Sequence, residues 1–277
     1  MINSIGIKSK PDKEAAKIAL KIGQYLVKKG LNVLIDCETG EFIKEERFKV
    51  TPLNKMNADL IIIVGGDGTI LYTVRELPRP CPPILGINLG HVGFLAEFNA
   101  NEVPDKLRNI IDGKFNLKNA SLLSANMNGE KFPDALNEVF IASEPGKMTD
   151  ISVYVNNAYV ARVLSDGLII STSTGSTAYA LSAGGPIVTP DLDVILLVPV
   201  CPFKHTMLPM VISGNSRIIL KLNKPNRRAL VVIDGQYQRI INYGDILEVK
   251  KSDDRIPFIK IKDNFYDKVR EKLLGGI

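Results

Sequence analysis

Residues 65–69 read Gly-Gly-Asp-Gly-Thr and place one carboxylate and one hydroxyl among three glycines. They follow residues 59–64, a mostly apolar, β-branched run that predicts a buried strand. The glycines let the backbone turn sharply, approach a ligand closely and leave N–H groups free for an anion. Because ligands of an open α/β sheet bind at the carboxyl ends of its strands, this stretch indicates phosphate chemistry. Taken alone, so short a motif is equally well explained as a tight turn.

Three further segments carry polar groups in unusual settings. Residues 88–94 place two glycines before Phe94, Asn137 and Glu138 interrupt an apolar run, and residues 165–179 are dense in Ser and Thr. Each has a plainer interpretation, as a loop, a strand edge and a solvated loop respectively. The Ser/Thr run, however, is embedded between apolar strands, where polar groups need partners, and a ligand can be that partner.

Several standard sites are absent from the sequence. It has no G-x-x-x-x-G-K-[ST] motif, no G-x-G-x-x-G after the first strand and no protein-kinase glycine loop. This argues against P-loop nucleotidases, ordinary dinucleotide dehydrogenases and protein kinases. Ser176 lacks the nucleophile-elbow spacing, and His91 and His205 are the only histidines. A hydrolase triad and a His-rich zinc site are therefore both disfavoured.

Composition favours a cytoplasmic protein that binds a small anion. With 277 residues, 45% of them hydrophobic, the chain can form one large domain or two. Its net charge of +5 comes from dispersed Lys and Arg, so no nucleic-acid partner is expected. The three cysteines have no CxxC spacing, which favours a reducing compartment. Apolar residues 194–203 are too few to span a bilayer and the N-terminus lacks a signal pattern, so no membrane partner is expected.

The first hundred residues alternate strand and helix patterns. This rhythm predicts a doubly wound, Rossmann-like α/β domain with a parallel sheet. The predicted strands are 4–7, 31–35, 60–64 and 84–88, and the predicted helices are 12–29 and 70–77.

From about residue 118 short strands dominate the pattern. Turns are predicted at Asn156-Asn157 and at Asp234-Gly235. We therefore predict an α/β domain of residues 1–117, completed by about 258–277, and a mostly β domain of residues 118–257. A final amphipathic helix is expected to pack back on the first domain. The predicted strands are 139–141, 151–155, 168–170, 217–220 and 229–233, and the final helix is 263–274.

Together, the four polar segments resemble the NAD kinase family. The G-G-D-G-T turn, the N-x-G-x-x-G-F loop, the Asn-Glu pair and the long hydroxyl segment match over most of the chain, and residues 182–188, 198–202 and 234–236 are similar to later family blocks. G-G-D-G is shared with lipid kinases and phosphofructokinases, whereas the hydroxyl segment in this order is highly specific. The chain has Ser165 where the family usually has Gly, and Ser173 where it often has Pro.

The resemblance implies transfer of the terminal phosphoryl group of ATP, or of polyphosphate, to the 2′-hydroxyl of the adenosine ribose of NAD. Asp67 matches the family's catalytic carboxylate, which orients that hydroxyl and accepts its proton. Mg²⁺ or another divalent metal is expected with ATP, through its phosphates and not through a metal site of the protein. The resemblance also implies a homodimer or homotetramer in which a neighbouring subunit helps close the nicotinamide end of the site.

The matched motifs also imply individual contacts. Asn137 and Glu138 would bind the ribose hydroxyls, and Asp166 the nicotinamide half. If Glu138 accepts hydrogen bonds from the ribose diol, the product phosphate lies beside a carboxylate, so Glu138→Gln is predicted to lower turnover and reduce discrimination against NADP. The implied phosphate-binding residues are Gly65, Gly66, Gly68 and Thr69, and the implied NAD-binding residues are Asp67, Gly68, Phe94, Asn137, Glu138, Lys147, Asp166, Thr174, Thr177, Ala178, Tyr179, Ser182 and Gln236.

Two alternatives remain beside this hypothesis. One is another kinase with the G-G-D-G motif that acts on a lipid or a sugar, against which the Asn-Glu pair and the hydroxyl segment argue. The other is a non-catalytic NAD(P)-binding regulator, against which the intact Asp67 and glycine turn argue. A substrate panel separates the first alternative, and binding of NAD without turnover would support the second.

Overall fold

The structure is a computed structural model that describes residues 2–90, 93–225, 227–261 and 264–273. The chain divides into two units. The first, called here the N-terminal unit, is Met1–Asn119 together with Ile256–Ile277, and the second, the β unit, is Ala120–Arg255. The N-terminal unit is thus built from two stretches of chain, and the β unit is inserted between them in the sequence.

A parallel sheet forms the centre of the N-terminal unit. Its strands are β1 Ser4–Ser9, β2 Asn32–Ile35, β3 Lys49–Val50, β4 Leu60–Val64, β5 Ile84–Asn88 and β6 Phe98–Asn99. They lie in the order β3-β2-β1-β4-β5-β6, each parallel to its neighbours. The strand order reverses between β1 and β4, and ligands of such sheets bind beyond the carboxyl ends at that point. This confirms the predicted doubly wound fold.

Helix α1 (Lys13–Lys28) follows the sequence prediction closely. The Asp12 carboxylate accepts a hydrogen bond from the backbone N–H of Ala15 at 2.8 Å and caps the helix. Such a cap stabilises a helix by about 1 kcal/mol. The apolar face, which includes Leu26, packs with β1 residues such as Ile5 in the core of this unit. Gly30, with φ of +80°, takes the left-handed conformation that ends the helix.

Helix α3 (Asp67–Glu76) begins three residues before the predicted 70–77. Gly66 is its N-cap residue, so Asp67, Gly68 and Thr69 lie in the first helical turn and not in a loop. The prediction was wrong here because the glycines were interpreted as a turn, although Gly is acceptable at an N-cap. An acidic residue in the first turn is also stabilised by the helix dipole. Two further helices of this unit, α2 Cys37–Phe42 and α4 Val103–Ile111, were not predicted.

The β unit contains two antiparallel sheets. Its strands are β7 Asn116–Met127, β8 Glu130–Lys131, β9 Glu138–Ser143, β10 Thr149–Val155, β11 Ala158–Ser165, β12 Gly167–Thr172, β13 Val194–Val200, β14 Met210–Ser213, β15 Ile218–Leu222, β16 Arg228–Ile233, β17 Tyr237–Asn242 and β18 Ile246–Lys260. One sheet has the order β14-β13-β12-β9-β16-β17, and the other contains β11-β10-β15-β18. Buried side chains of both sheets, such as Val139 and Ile151, form one core. The predicted mostly β character is confirmed.

The two predicted turns both connect neighbouring antiparallel strands. Asn156 and Asn157 have φ of 52° and 67° between β10 and β11, and Asp234 and Gly235 have φ of 48° and 67° between β16 and β17. Two consecutive left-handed residues are the geometry that tight hairpins need, and Asn, Asp and Gly adopt it most readily.

The C-terminal residues return to the N-terminal unit. Near the end of β18, Phe258 pairs with Ile84 of β5 in parallel register. Helix α6 (Phe265–Leu273) packs on this unit, as predicted, and brings the Phe265 ring to 6.4 Å from that of Phe94. Residues 263 and 274 of the predicted helix lie outside the described residues. No helix in the described part of the chain combines the length and the apolar character needed to cross a membrane.

Candidate functional site

The glycines after β4 differ in whether their surroundings leave room for a side chain. A Cβ on Gly65 would lie 2.6 Å from Thr69 Oγ1, so packing requires glycine at that position. A Cβ on Gly66 or Gly68 would meet nothing within 4 Å, and Gly68 is exposed. Packing therefore gives no reason for glycine at these two positions. Glycine there leaves the backbone at the start of α3 open to close approach by a ligand, and a helix N-terminus favours an anion.

The Asp67 carboxylate is partly exposed and is held by two backbone amides. The N–H of Phe94 donates to Oδ2 at 2.9 Å, and the N–H of Leu95 donates to Oδ1 at 3.2 Å. A Cβ on Gly93 would lie 1.9 Å from Oδ1, so only glycine lets the segment pass so close. Each carboxylate oxygen keeps a further lone pair for a substrate hydroxyl. Residues 91 and 92 of the predicted N-x-G-x-x-G-F loop lie outside the described residues.

In the β unit, Asp234 holds the segment that carries Asn137 and Glu138. Its Oδ2 accepts from the N–H of Leu136 at 2.7 Å, and its Oδ1 accepts from the N–H groups of Asn137 and Glu138 at 2.8 and 3.0 Å. Asp234 was predicted only as a turn residue, so this role was not anticipated. The only signal was its place in an Asp-Gly turn, which says nothing about where the carboxylate points.

The Glu138 side chain is buried, with 7% of its surface exposed. Its Oε2 has no hydrogen-bond partner among the described residues. Burial first, and then the negative charge of Asp234, raise the pKa of the Glu138 carboxyl to about 8. At pH 7 the group is therefore mostly a neutral acid that can both donate and accept a hydrogen bond. A buried polar atom of this kind calls for an explanation, and a bound ligand supplies one.

Hydroxyls of the predicted binding segment divide into two classes. Those of Ser171 and Thr172 donate to the carbonyls of Asn137 and Leu136 at 3.1 and 2.7 Å, and the Ser176 hydroxyl donates to Val188 O at 3.1 Å. These three tie the segment to its neighbours. The candidates that are at least partly exposed are Thr174, Thr177, Ala178, Tyr179 and Ser182, on the 3-10 turn Thr174–Thr177 and on α5 (Tyr179–Ser182).

Two residues of this segment show how tightly it is fitted. A Cβ on Gly175 would lie 2.3 Å from the backbone O of Asn137, so glycine is required for the turn to pack beside the Asn-Glu pair. Ser165, where the resembling family usually has Gly, is fully buried and donates from Oγ to Gly167 O at 2.8 Å. That departure therefore leaves no unpaired hydroxyl.

Tyr179 presents an aromatic surface near the Asn-Glu strand. Its ring lies 5.0 Å from that of Phe140 on β9, at an interplanar angle of 89°. Such an edge-to-face contact fixes the ring orientation. The side chain remains 40% exposed, so part of it is free to pack against a flat ligand.

Lys147 and Asp166 line one open cavity of about 640 Å³ in the β unit. Asp166 immediately precedes β12, whereas Ser171 and Thr172 end this strand, roughly 16 Å away at the usual rise per residue. Gln236 is exposed in the turn beside Asp234. Arg227, a further cation of this cavity, was not among the predicted site residues. Among the described residues the cavity is lined by Ser143, Gly146, Lys147, Met148, Asp166 and Arg227.

The structure thus groups the predicted residues within each unit. The N-terminal unit brings Asp67 and the glycine turn to the amides of Phe94 and Leu95. The β unit places Asn137 and Glu138 against the hydroxyl segment, and Lys147 with Asp166 at the other end of β12. No group of three or more His, Cys, Asp or Glu side chains that could hold a metal occurs in the described ranges.

Comparison with known proteins gives matches over nearly the whole chain. Family models match residues 5–115 as an ATP-NAD kinase N-terminal domain and residues 136–261 as an ATP-NAD kinase C-terminal domain. The NAD kinase of Methanothermobacter thermautotrophicus is 40% identical over 264 residues, covering 95% of this chain and 93% of that protein. The NAD kinase of Pyrococcus furiosus is 39% identical over 273 residues, covering 97% and 98%.

Solved structures agree with these matches. An NAD kinase from Archaeoglobus fulgidus in complex with ATP has a TM-score of 0.74 at 30% identity, over 99% of this chain and 98% of that one. Yeast NADH kinase complexed with NADH has a TM-score of 0.88 at 24% identity, over 99% and 88% of the two chains, and at this identity it supports the fold alone.

Proposed function

The chain belongs to the ATP-NAD kinase family and is an enzyme that phosphorylates NAD, and we propose that it transfers the terminal phosphoryl group of ATP to the 2′-hydroxyl of the adenosine ribose. The observation that carries this proposal is the Asp67 carboxylate, which lies at the carboxyl end of β4, partly exposed and fixed by two backbone amides. A carboxylate so placed can orient a substrate hydroxyl and accept its proton. Transfer to that hydroxyl gives NADP.

In the proposed reaction, the amides of Phe94 and Leu95 hold the Asp67 carboxylate in a fixed orientation. They fix both carboxylate oxygens before substrate arrives, so little reorganisation is needed when the hydroxyl binds. Phosphoryl transfer has a loose transition state, in which alignment and charge neutralisation contribute more than proton abstraction. Asp67 would therefore act by aligning the nucleophile as well as by accepting the proton.

The glycine turn is the proposed phosphate site. Gly65 keeps the turn closed against Thr69, while Gly66 and Gly68 leave the N-terminus of α3 open. Amide groups there and the helix dipole suit the phosphates of ATP. Mg²⁺ would enter as part of the Mg·ATP substrate and neutralise charge on the transferred group, since magnesium is commonly held by substrate phosphates with few protein ligands.

The β unit is the proposed NAD-binding domain. The unpaired Oε2 of Glu138 would meet the adenosine ribose, with Asn137 beside it. The exposed part of Tyr179 would pack on the adenine, together with Ala178 and the hydroxyls of Thr174, Thr177 and Ser182. Asp166 and Lys147 would receive the nicotinamide half, at the far end of β12. Phe94 and Gln236 are further proposed contacts. We also propose a cytoplasmic homodimer or homotetramer whose neighbouring subunit helps close the nicotinamide end.

The direct test is NADP formation by the purified protein from NAD, ATP and Mg²⁺, detected with an NADP-specific dehydrogenase. Polyphosphate replaces ATP in a second series, and a panel of lipid and sugar acceptors replaces NAD in a third. NADP in the first series supports the proposal, and NADP in the second series alone would make polyphosphate the donor in place of ATP. Binding of NAD without NADP from either donor overturns it in favour of a regulator, and phosphorylation of a panel acceptor alone overturns it in favour of another kinase.

Gly68→Ala distinguishes an effect on ATP binding from an effect on stability at the proposed phosphate site. The added methyl meets nothing within 4 Å, and Ala in a helix is up to about 1 kcal/mol more favourable than Gly. The melting temperature is therefore expected to stay level or rise, whereas the KM for ATP rises about tenfold because the methyl occupies the path of the phosphates. Gly40→Ala, within helix α2 and outside the predicted site, is the control, because its added methyl would come no closer than 3.3 Å to another residue. An unchanged KM for ATP in the Gly68 variant would place the phosphates elsewhere.

Gly93→Ala probes the support of Asp67. Because its Cβ would lie 1.9 Å from Asp67 Oδ1, the carboxylate or the segment must move. Turnover should fall between about tenfold and a hundredfold, the usual cost of misplacing a reacting group by about 1 Å. Steady-state kinetics measure the loss and calorimetric NAD titration checks binding. Gly40→Ala, in helix α2, should keep full turnover, and equal losses in both variants would contradict the explanation.

A further inference from the structure

Lys268 on α6 is a buried cation that the proposed reaction does not use. Only 4% of its surface is exposed. Burial first, and then the charges of Lys260 and Lys272, lower its pKa to about 8, while the charges of Glu97 and Asp67 oppose this shift. At pH 7 the group still carries its proton. Because burying a charge is costly unless it is well partnered, its partners are informative.

Those partners are carbonyl groups of the segment that holds Asp67. The ammonium group of Lys268 donates to Phe94 O at 3.1 Å and to Ala96 O at 2.6 Å. The carbonyl of Phe94 and the N–H of Leu95 belong to one peptide group. That N–H donates to Asp67 Oδ1 at 3.2 Å. One planar peptide unit therefore joins the lysine cation on one side to the carboxylate on the other.

A peptide group in this position transmits both geometry and polarisation. A cation on the carbonyl oxygen draws electron density through the amide, which strengthens the N–H as a donor, and linked hydrogen bonds reinforce one another. The two carbonyl contacts also prevent the segment from rotating its amides away from the carboxylate. Neighbouring contacts restrain the same segment, since the N–H of Ile261 donates to Glu97 Oε1 at 2.7 Å.

We propose that Lys268 is a positioning residue for Asp67, acting through the peptide group between Phe94 and Leu95. It touches no substrate and sets the orientation and donor strength of the amide that holds the carboxylate. The inference rests on the proposed role of Asp67 in NAD phosphorylation. It assigns to α6 a part in the reaction that is distinct from stabilising the fold.

The test is a double-mutant cycle in the full chain. Lys268→Met is one atom shorter, keeps the unbranched shape of the side chain and removes the cation. Arg270→Met, at an exposed position on the same helix, is the matched control. Turnover of Lys268→Met should fall about tenfold, with the KM values for NAD and ATP within about twofold. In the Asp67→Ala background, Lys268→Met should lower turnover by less than about twofold, because the group that Lys268 positions is gone. Enzymatic cycling of NADP gives the sensitivity needed.

Two further variants keep the result decisive. Lys268→Arg, which retains the cation, should recover part of the turnover. If circular dichroism shows that Lys268→Met does not fold, Lys268→Gln is used in its place. An equal loss with and without Asp67, or no loss at all, would overturn the proposal. Failure of both neutral variants to fold would also overturn it, in favour of a structural role. Absence of NADP from the wild-type protein is a separate outcome, because it refutes the kinase reaction itself.

Discussion

Replacing Asp67 by Asn is expected to lower the turnover of NAD to NADP by about 10²–10⁴-fold, the range that a positioned base contributes. The amide cannot accept the hydroxyl proton, and its NH₂ group cannot accept a hydrogen bond from Phe94 or Leu95, so both base and alignment are weakened. NAD affinity should change by less than about threefold, since the proposed contact of Asp67 is with one hydroxyl of a large ligand. Steady-state kinetics and calorimetric titration measure the two effects.

Asp12→Asn is the matched control for this experiment. Asp12 also stands at the start of a helix, where it caps α1 through the N–H of Ala15. Because Asn caps a helix about as well as Asp, neither stability nor turnover should change appreciably. Turnover of Asp67→Asn within tenfold of the wild type would show that Asp67 is not the group that activates the hydroxyl.

Replacing Glu138 by Gln should remove a pH dependence of stability. The pKa of this carboxyl is about 8 in the folded chain, above the ordinary value of 4.5. Between these values the folded state holds a proton that the unfolded state releases, so stability falls as pH rises from about 4.5 to about 8. At pH 7 this carboxyl lowers the free energy of unfolding by on the order of 3 kcal/mol. Below about pH 4.5 the reduction disappears.

Urea unfolding at pH 5 and pH 7.5 would measure this effect. The difference in unfolding free energy between Glu138→Gln and the wild type should move in favour of the variant at the higher pH. Glu46→Gln, at an exposed site, should show no such change. A difference between Glu138→Gln and the wild type that is the same at both values would mean that the carboxyl is already ionised at neutral pH.

The same protonation refines the predicted discrimination against NADP. With a neutral acid, repulsion of the 2′-phosphate is weak at pH 6.5 and becomes strong only above about pH 8. Calorimetric titration should therefore give a wild-type ratio of NADP to NAD dissociation constants that rises between pH 6.5 and pH 9. Glu138→Gln should turn over more slowly and show a nearly constant ratio. A constant wild-type ratio would contradict the like-charge explanation.

Local sequence signals were sufficient for much of the fold. The Asp12 cap and Gly30 set the ends of α1, and Asp234-Gly235 predicted a hairpin turn that the structure contains. Such features depend on a few neighbouring residues, so they can be read from the chain directly. Helix α3 shows the limit of this approach, because a glycine-rich N-cap and a glycine turn look alike in sequence.

Features of the candidate site that depend on distant contacts could not be predicted. Lys268 is an ordinary helix lysine until its carbonyl partners, more than 170 residues away in the sequence, are known. The Asp234 carboxylate reaches amides almost one hundred residues away. The protonation of Glu138 likewise follows from burial, which no local pattern encodes. Among the hydroxyls, Ser171 and Thr172 are tied to the backbone beside Asn137, a distinction that composition alone cannot make.

The interrupted N-terminal unit has a consequence for biosynthesis. A ribosome completes β1 to β6 early, then translates the whole β unit before Phe258 can pair with β5 and Lys268 can reach its carbonyls. At bacterial or eukaryotic elongation rates that interval is on the order of ten seconds. During it Ile84 of β5 lacks its β18 partner, although β6 already pairs with the end of the same strand. If Lys268 positions Asp67 as proposed, phosphorylation of NAD also begins only once the C-terminal helix has been synthesised, which delays activity until assembly is nearly complete.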